Sequence, residues 1–249
     1  MQTIFPFNHV KLALIGISVL IVLTGGCGEN AGKPDVQLNL KLDAIRQAGY
    51  PVTLAELDAW YVEPPAGENG APLYAEAFAA LASVEATSPS FLAQNQKTLE
   101  LLHTAASWKA CRYPIDLTKG YAALLPHLPE LKTCARLLSQ AANSHATKGE
   151  MDLAAQSLLD LLRLAQSLEE DPTLISHLVL IASESILLTG LESVINSKAF
   201  TDEQLLRLQA AFGEAESGES MTRTIVAERC IGSSILKIPV PDLAKAFAQ

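Results

Sequence analysis

Positive charge is scarce in this chain: 18 Lys+Arg stand against 27 Asp+Glu over 249 residues, a formal net charge of −9. A nucleic-acid module needs a basic surface to meet phosphates, so that class is excluded and no nucleic-acid partner is expected. Missing too is the union of low hydrophobicity and high net charge that marks disorder, because 49% of residues are apolar and 18% charged. β-Branched aliphatics are few. Val plus Ile number 25 against 40 Leu and 36 Ala, a balance that favours helix over sheet. The expected fold class is all-α, with antiparallel helical hairpins stacked as a bundle or a short solenoid.

Signatures of chemistry are absent as well. The chain has no G-x-S-x-G, Walker loop, H-E-x-x-H or dinucleotide fingerprint. Ser234 and Lys237 match S-x-x-K, but the K-T-G and S-D-N partners of penicillin-binding enzymes are missing and the chain nearly ends there. The four cysteines, at 27, 111, 134 and 230, form no C-x-x-C pair. Cys134 and His145 share a helix face, yet eleven residues of helix hold them about 16 Å apart, too far for one ion. No metal, cofactor or catalytic residue is implied.

What is present begins with a leader. Lys11 is the only charged side chain among residues 1–26, and residues 12–24 are a continuous run of apolar or small side chains that closes on Gly25, Gly26 and Cys27. A positive start, an apolar centre and a small-residue exit make a secretory signal. The order Leu23-Thr24-Gly25-Gly26-Cys27 resembles the bacterial lipobox, in which a Cys receives diacylglycerol before the peptidase cuts ahead of it. The resemblance implies lipidation of Cys27, a short tether over residues 27–35, and a membrane partner reached through lipid. Gly28 lacks the Asp that retains many lipoproteins at the inner membrane, so outer-membrane sorting is expected. The alternative is an uncleaved anchor helix in the inner membrane, but the thirteen apolar residues span only about 20 Å of a core roughly 30 Å thick. Removal of residues 1–26 leaves 223 residues and a net charge of −10, of which 36–249 form the helical domain.

Caps and breakers divide that domain. A helix is predicted over 36–48, ended by Gly49-Tyr50-Pro51. Thr53 with Glu56 forms a capping box for a helix through Trp60. The loop 63–70 (EPPAGENG) excludes helix, and Asn69 is placed to cap a helix over 71–86. Further helices are expected over 88–109, from Pro126 to Gly149, and from Gly149 to about residue 168. Asp171-Pro172 should cap an apolar helix over 173–196, expected to be the central one. Thr201 with Gln204 caps another to residue 215, and a last one runs over 220–237 before Pro239 and Pro241 stop it.

The segment after Gly149 carries two apolar stripes, Ala154, Leu158, Leu161, Ala165 and Leu168 beside Met151, Ala155, Leu159 and Leu162, which imply neighbours on two sides. With Leu138, Ala141, Ala142 and His145 before the glycine, residues 135–168 resemble one tetratricopeptide hairpin. No second copy is legible. Within the 173–196 helix His177 and Glu184 lie seven apart on an apolar stripe, a costly placement that makes them candidate binding residues, the alternative being a buried pair each satisfied by a neighbour such as Arg163. Glu184-Ser185 is similar to the catalytic pair of helical lytic transglycosylases, though the downstream G-L-M-Q is absent and the only tryptophans are Trp60 and Trp108.

Residues 51–69 (PVTLAELDAWYVEPPAGEN), with Tyr113-Pro114, Leu125-Pro126-His127-Leu128 and Thr173-Leu174-Ile175, resemble an uncharacterised family of exported bacterial helical proteins. The resemblance implies an exported helical fold and transfers no activity; members often run longer, so a truncated C-terminus is an expectation. In the shared loop Trp60 and Tyr61 offer apolar faces to Pro64 and Pro65, either as packing or as a proline-lined groove for a peptide. These features point to a lipid-anchored helical adaptor for an envelope protein or peptide. The alternatives are an envelope hydrolase acting on peptidoglycan and a purely structural envelope component. Mass spectrometry of the membrane fraction is expected to find an acylated Cys27 as the first residue; an unmodified Cys27 or an intact Met1 terminus would contradict this.

Overall fold

The computed structural model describes residues 34–215 and 219–236. The leader, Cys27 and the prolines at 239 and 241 lie outside the described residues. The chain divides into two compact units, residues 1–44 and 45–249. Of the first, 34–44 are described, as the opening of helix α1.

The elements are α1 (Pro34–Gln47), α2 (Leu54–Trp60), α3 (Ala71–Ala79), α4 (Phe91–Gln94), α5 (Gln96–Ala105), a 3-10 segment (Leu117–Ala122), α6 (His127–Lys148), α7 (Met151–Gln166), α8 (Leu174–Ser197), α9 (Asp202–Glu214) and α10 (Glu219–Ile235). Among the described residues there is no strand, only an isolated bridge between Asn69 and Ala110. The all-α expectation therefore holds. The tether predicted to reach residue 35 gives way to helix at Pro34, since proline's fixed φ suits a first helical turn.

Local signals set most of the ends. Gly49 (φ 84°) closes α1 and Gly149 (φ 82°) closes α6, conformations that cost little only without a Cβ. Thr53 Oγ1 accepts from the Glu56 amide at 3.2 Å, while Glu56 reaches back to the Val52 amide at 2.8 Å, one residue before the position predicted. That amide bond, with Arg46 beside it, holds the Glu56 carboxyl below its usual range. At α9 the box is complete, with Thr201 and Gln204 each bonding the other's backbone.

Two predicted helices are broken. The one expected over 71–86 stops at Ala79, and the one expected over 88–109 divides at Asn95. Asn95 is wholly buried; its Oδ1 accepts from the Ala82 amide at 2.8 Å and its Nδ2 donates to the Phe91 carbonyl at 2.9 Å. A short amide side chain that bonds nearby backbone competes with the helix ladder, and no periodicity of apolar residues reports it.

α6 and α7 fold back on each other across Gly149 and pack side by side, and α8 packs on both. Leu138, Ala141, Ala142, Ala154 and Leu158 are buried at this contact, while His145 Nδ1 lies 2.6 Å from Glu150 Oε2 at the turn. The central helix is α7, not α8 as expected. α7 touches α5, α6, α8 and α9, and its buried side chains run around most of its circumference.

α8 is inside out by comparison. Its inward seam carries Ser176, His177, Leu180, Ser183, Leu187, Gly190 and Val194, whereas Leu174, Ile175, Leu178, Ile181, Leu188 and Ile195 are exposed. Small residues let the backbones approach closely: a Cβ on Gly190 would come within 2.7 Å of Ser139 Oγ on α6. At Gly190 the α6 surface leaves no room for a larger side chain, and a composition apolar on every side misreports the helix as central.

Cys111, Cys134 and Cys230 are buried and free, so none of them forms the single bridge that spacing allowed. Burial pushes the Cys111 and Cys134 thiols up to about 12, which leaves them protonated and unreactive at neutral pH.

The orientation of α8 predicts that Leu187→Ala, at a site 1% exposed, lowers stability by about 3 kcal/mol in chemical denaturation. Leu188→Ala, 58% exposed, should stay within about 0.5 kcal/mol of the parent; equal losses would place α8 in the centre after all.

Candidate functional site

A cleft of about 500 Å³ opens between α3, the segment after α5 and the start of α6. Asn69 and Gly70 build its first edge. Asn69 Oδ1 accepts from the amides of Ala71 (3.0 Å) and Arg112 (2.9 Å), and its Nδ2 donates to the Arg112 carbonyl (3.0 Å). One side chain thus serves the first turn of α3, as the sequence suggested, and also ties that turn to residues 110–112. Gly70 donates to the Ala110 carbonyl at 2.9 Å, and a Cβ there would sit 2.9 Å from Trp108 Cβ, too close for any larger residue.

The walls are apolar. Phe78, Ala75 and Ala79 come from α3, and Pro72, Pro114 and Pro126 from its ends and the facing loops. The floor is a stack of rings: Tyr113 lies 4.2 Å from His127 at 9° and 6.3 Å from Phe78 at 17°. Tyr113 is fully buried and its hydroxyl meets Ser167 Oγ at 2.9 Å. Burial keeps that phenol far above its ordinary range, hence protonated.

Beneath the floor sits Asp171, with no exposed surface. His127 Nε2–H donates to its Oδ2 at 2.8 Å, Ser176 Oγ donates to the same oxygen at 3.2 Å, and the Tyr61 hydroxyl donates to Oδ1. A buried carboxylate without partners costs several kcal/mol, and three donors from three separate parts of the chain offset it. The Tyr61 phenol is in turn driven far above its ordinary range, by burial first and then by the Asp171 charge, so it remains a donor. The sequence placed Asp171 as a helix cap; Thr173 caps α8 instead, its Oγ1 accepting from the Ser176 amide at 3.1 Å, which leaves Asp171 to the network.

Charge gathers at the rim. Arg112 pairs with Glu63 at 2.6 Å, donates through Nε to the Tyr61 carbonyl at 2.8 Å and lies 4.3 Å over the Tyr61 ring. Glu130, in the first turn of α6, also lines the cleft.

The residues singled out in the sequence fall in several places. Trp60 and Tyr61 diverge: Trp60 meets Tyr50 edge-on at 6.5 Å and the Arg223 guanidinium at 5.1 Å, while Tyr61 turns to Asp171. Pro64 is half-buried, Pro65 is exposed, and neither lines the cleft, whose prolines are 72, 114 and 126. His177 is buried, with Nδ1 3.0 Å from Ser220 Oγ on α10. Burial raises the half-buried Glu184 carboxyl, with the nearby His177 acting in the opposite direction. Arg163 bonds Gln166 and Glu214 rather than Glu184. Glu184 does not line the cleft, and Ser185 Oγ donates to the Ile181 carbonyl of its own helix at 2.9 Å. His127, Asp171, Tyr113 and Arg112 were missed as site residues, although Tyr113-Pro114 and Pro126-His127 stood out as segments.

Comparison with family models, with curated proteins and with solved structures gives no match.

Asp171→Asn keeps the side-chain shape but turns one accepting oxygen into a donor facing Tyr61 or His127. The expected loss is about 3 kcal/mol in equilibrium unfolding, and a variant as stable as the parent would show that the three donors do not depend on the carboxylate.

Proposed function

We propose that this chain is a helical adaptor tethered by lipid on Cys27 to the bacterial envelope, whose cleft receives an apolar segment of a protein or peptide partner. One observation carries the reading: a cleft of about 500 Å³ with apolar walls and a floor fixed from below by a buried hydrogen-bond network. Such a concavity, with a few polar groups converging on it, is the usual form of a binding site. Rigidity helps, because a preformed wall does not have to be ordered when a partner arrives.

The four segments that resemble the exported family support the same place. Residues 51–69 supply Tyr61 and Asn69, Tyr113-Pro114 and Pro126-His127 line the cleft, and residues 173–175 begin α8 next to Asp171. The leader and its lipobox-like exit support export and anchoring. Nothing in the surroundings of Glu184 favours the hydrolase.

A photoreactive side chain at the exposed cleft position Ala75, introduced into cells, is expected to give a discrete adduct in the intact envelope that disappears when Ala79→Trp fills the cleft. The same adduct persisting in the filled variant, or arising equally from exposed Leu206 on α9, would contradict the proposal.

A further inference from the structure

We infer that a second copy of this chain covers the outward face of α8, the two helices running antiparallel about a two-fold axis beside Ser185. The inference is independent of the cleft and concerns a different surface.

α8 packs on α6, α7 and α10, and what it turns away from them is a row of aliphatic side chains. Leu174, Ile181, Leu188 and Ile195 recur there every seven residues, with Leu178 between the first two, and each is about half exposed. α10 meets α8 where Ser220 Oγ lies 3.0 Å from His177 Nδ1 and where Glu228 accepts from the Leu174 amide at 3.2 Å. Met221 and Ile225, exposed between these two contacts, widen the face.

A row with a period of seven drifts by about 20° per heptad around a straight helix, and a second helix crossing at about 20° follows it along its whole length. A bilayer surface suits it less: helices that lie on lipid carry Lys or Arg on their polar side, whereas the 24 residues of α8 hold neither and include two Glu. The row also matches itself, as an isologous contact requires. About a point between Glu184 and Ser185, Leu174 falls opposite Ile195 and Ile181 opposite Leu188. Parallel copies would set Glu192 against Glu192, but antiparallel copies hold these charges about 22 Å apart along the axis. Glu184 lies to one side of the row, near His177. The size is sufficient as well. The seven side chains together leave about 600 Å² exposed, so two such faces bury about 1,200 Å², within the range of specific pairs. A contact at the small end of that range parts on dilution, and dilute unfolding of Leu188→Ala still reads a single copy.

Cysteine crosslinking tests this in membranes from cells that carry two differently tagged copies of the full chain, with a short bismaleimide as the probe. Cys111, Cys134 and Cys230 are buried, so the parent chain is expected to give no product. Ser185→Cys in both copies should give a product of twice the chain mass that carries both tags, and Leu174→Cys in one copy with Ile195→Cys in the other should crosslink comparably. Leu174→Cys in both copies, about 31 Å apart in the antiparallel pair, should yield at least tenfold less. Leu188→Glu should abolish the Ser185→Cys product at unchanged helicity, whereas Leu206→Glu, at an exposed position of α9, should leave it intact. Self-crosslinking at 174 equal to that at 185 would overturn the antiparallel arrangement. A product that joins one copy to a different protein, or no product at all, would overturn the second copy as the occupant of this face.

Discussion

The Asp171 carboxylate is the constraint on which the site depends. A negative charge removed from water requires donors, and here they come from parts of the chain distant in sequence: Tyr61 at the end of α2, His127 at the start of α6 and Ser176 in the first turn of α8. Each bond fixes an orientation that something else uses. His127 held by Asp171 gives Tyr113 a flat surface to stack on at 4.2 Å, Tyr113 carries Phe78, and these rings form the floor of the cleft. Tyr61 held by Asp171 offers its face to Arg112, which closes the rim with Glu63. The network thus acts through shape, by holding the walls and floor of the concavity in one arrangement.

The helices around this network divide the remaining work. α7 carries the core, buried on most sides by α5, α6, α8 and α9. α8 approaches α6 through Ser183, Gly190 and their neighbours, and its large aliphatic side chains are left facing outward. The inward seam mixes small residues with Leu180 and Leu187, the close approach falls at Gly190, and further Leu and Ile side chains occupy the opposite surface.

Much of the fold was legible in the sequence because its signals are local. Gly49, Gly149, Thr53 and Thr201 act within one or two turns of themselves, and the two stripes of α7 report neighbours on two sides through spacing alone. The breaks at Ala79 and Asn95 were not legible, since Asn95 acts through side-chain bonds to a turn thirteen residues earlier. The placement of α8 was hidden for a different reason: a helix apolar all round looks central whether its Leu residues point in or out. The site was the least legible part. Tyr61 and Asp171 are 110 residues apart and His127 and Asp171 are 44 apart, and no spacing rule joins them. Tyr61, Tyr113-Pro114 and Pro126-His127 drew notice as segments, but their meeting point is a property of the fold.

Whether Asp171 couples these elements can be measured by a double-mutant cycle. Tyr61→Phe and His127→Phe each remove one donor while keeping a ring in place, and the two residues bond to the carboxylate through different oxygens. If they share that charge, their stability effects in equilibrium unfolding should depart from additivity by about 1 kcal/mol or more. Effects that add to within about 0.5 kcal/mol would mean that the two donors act independently, and that the buried carboxylate is not what holds the floor of the cleft in place.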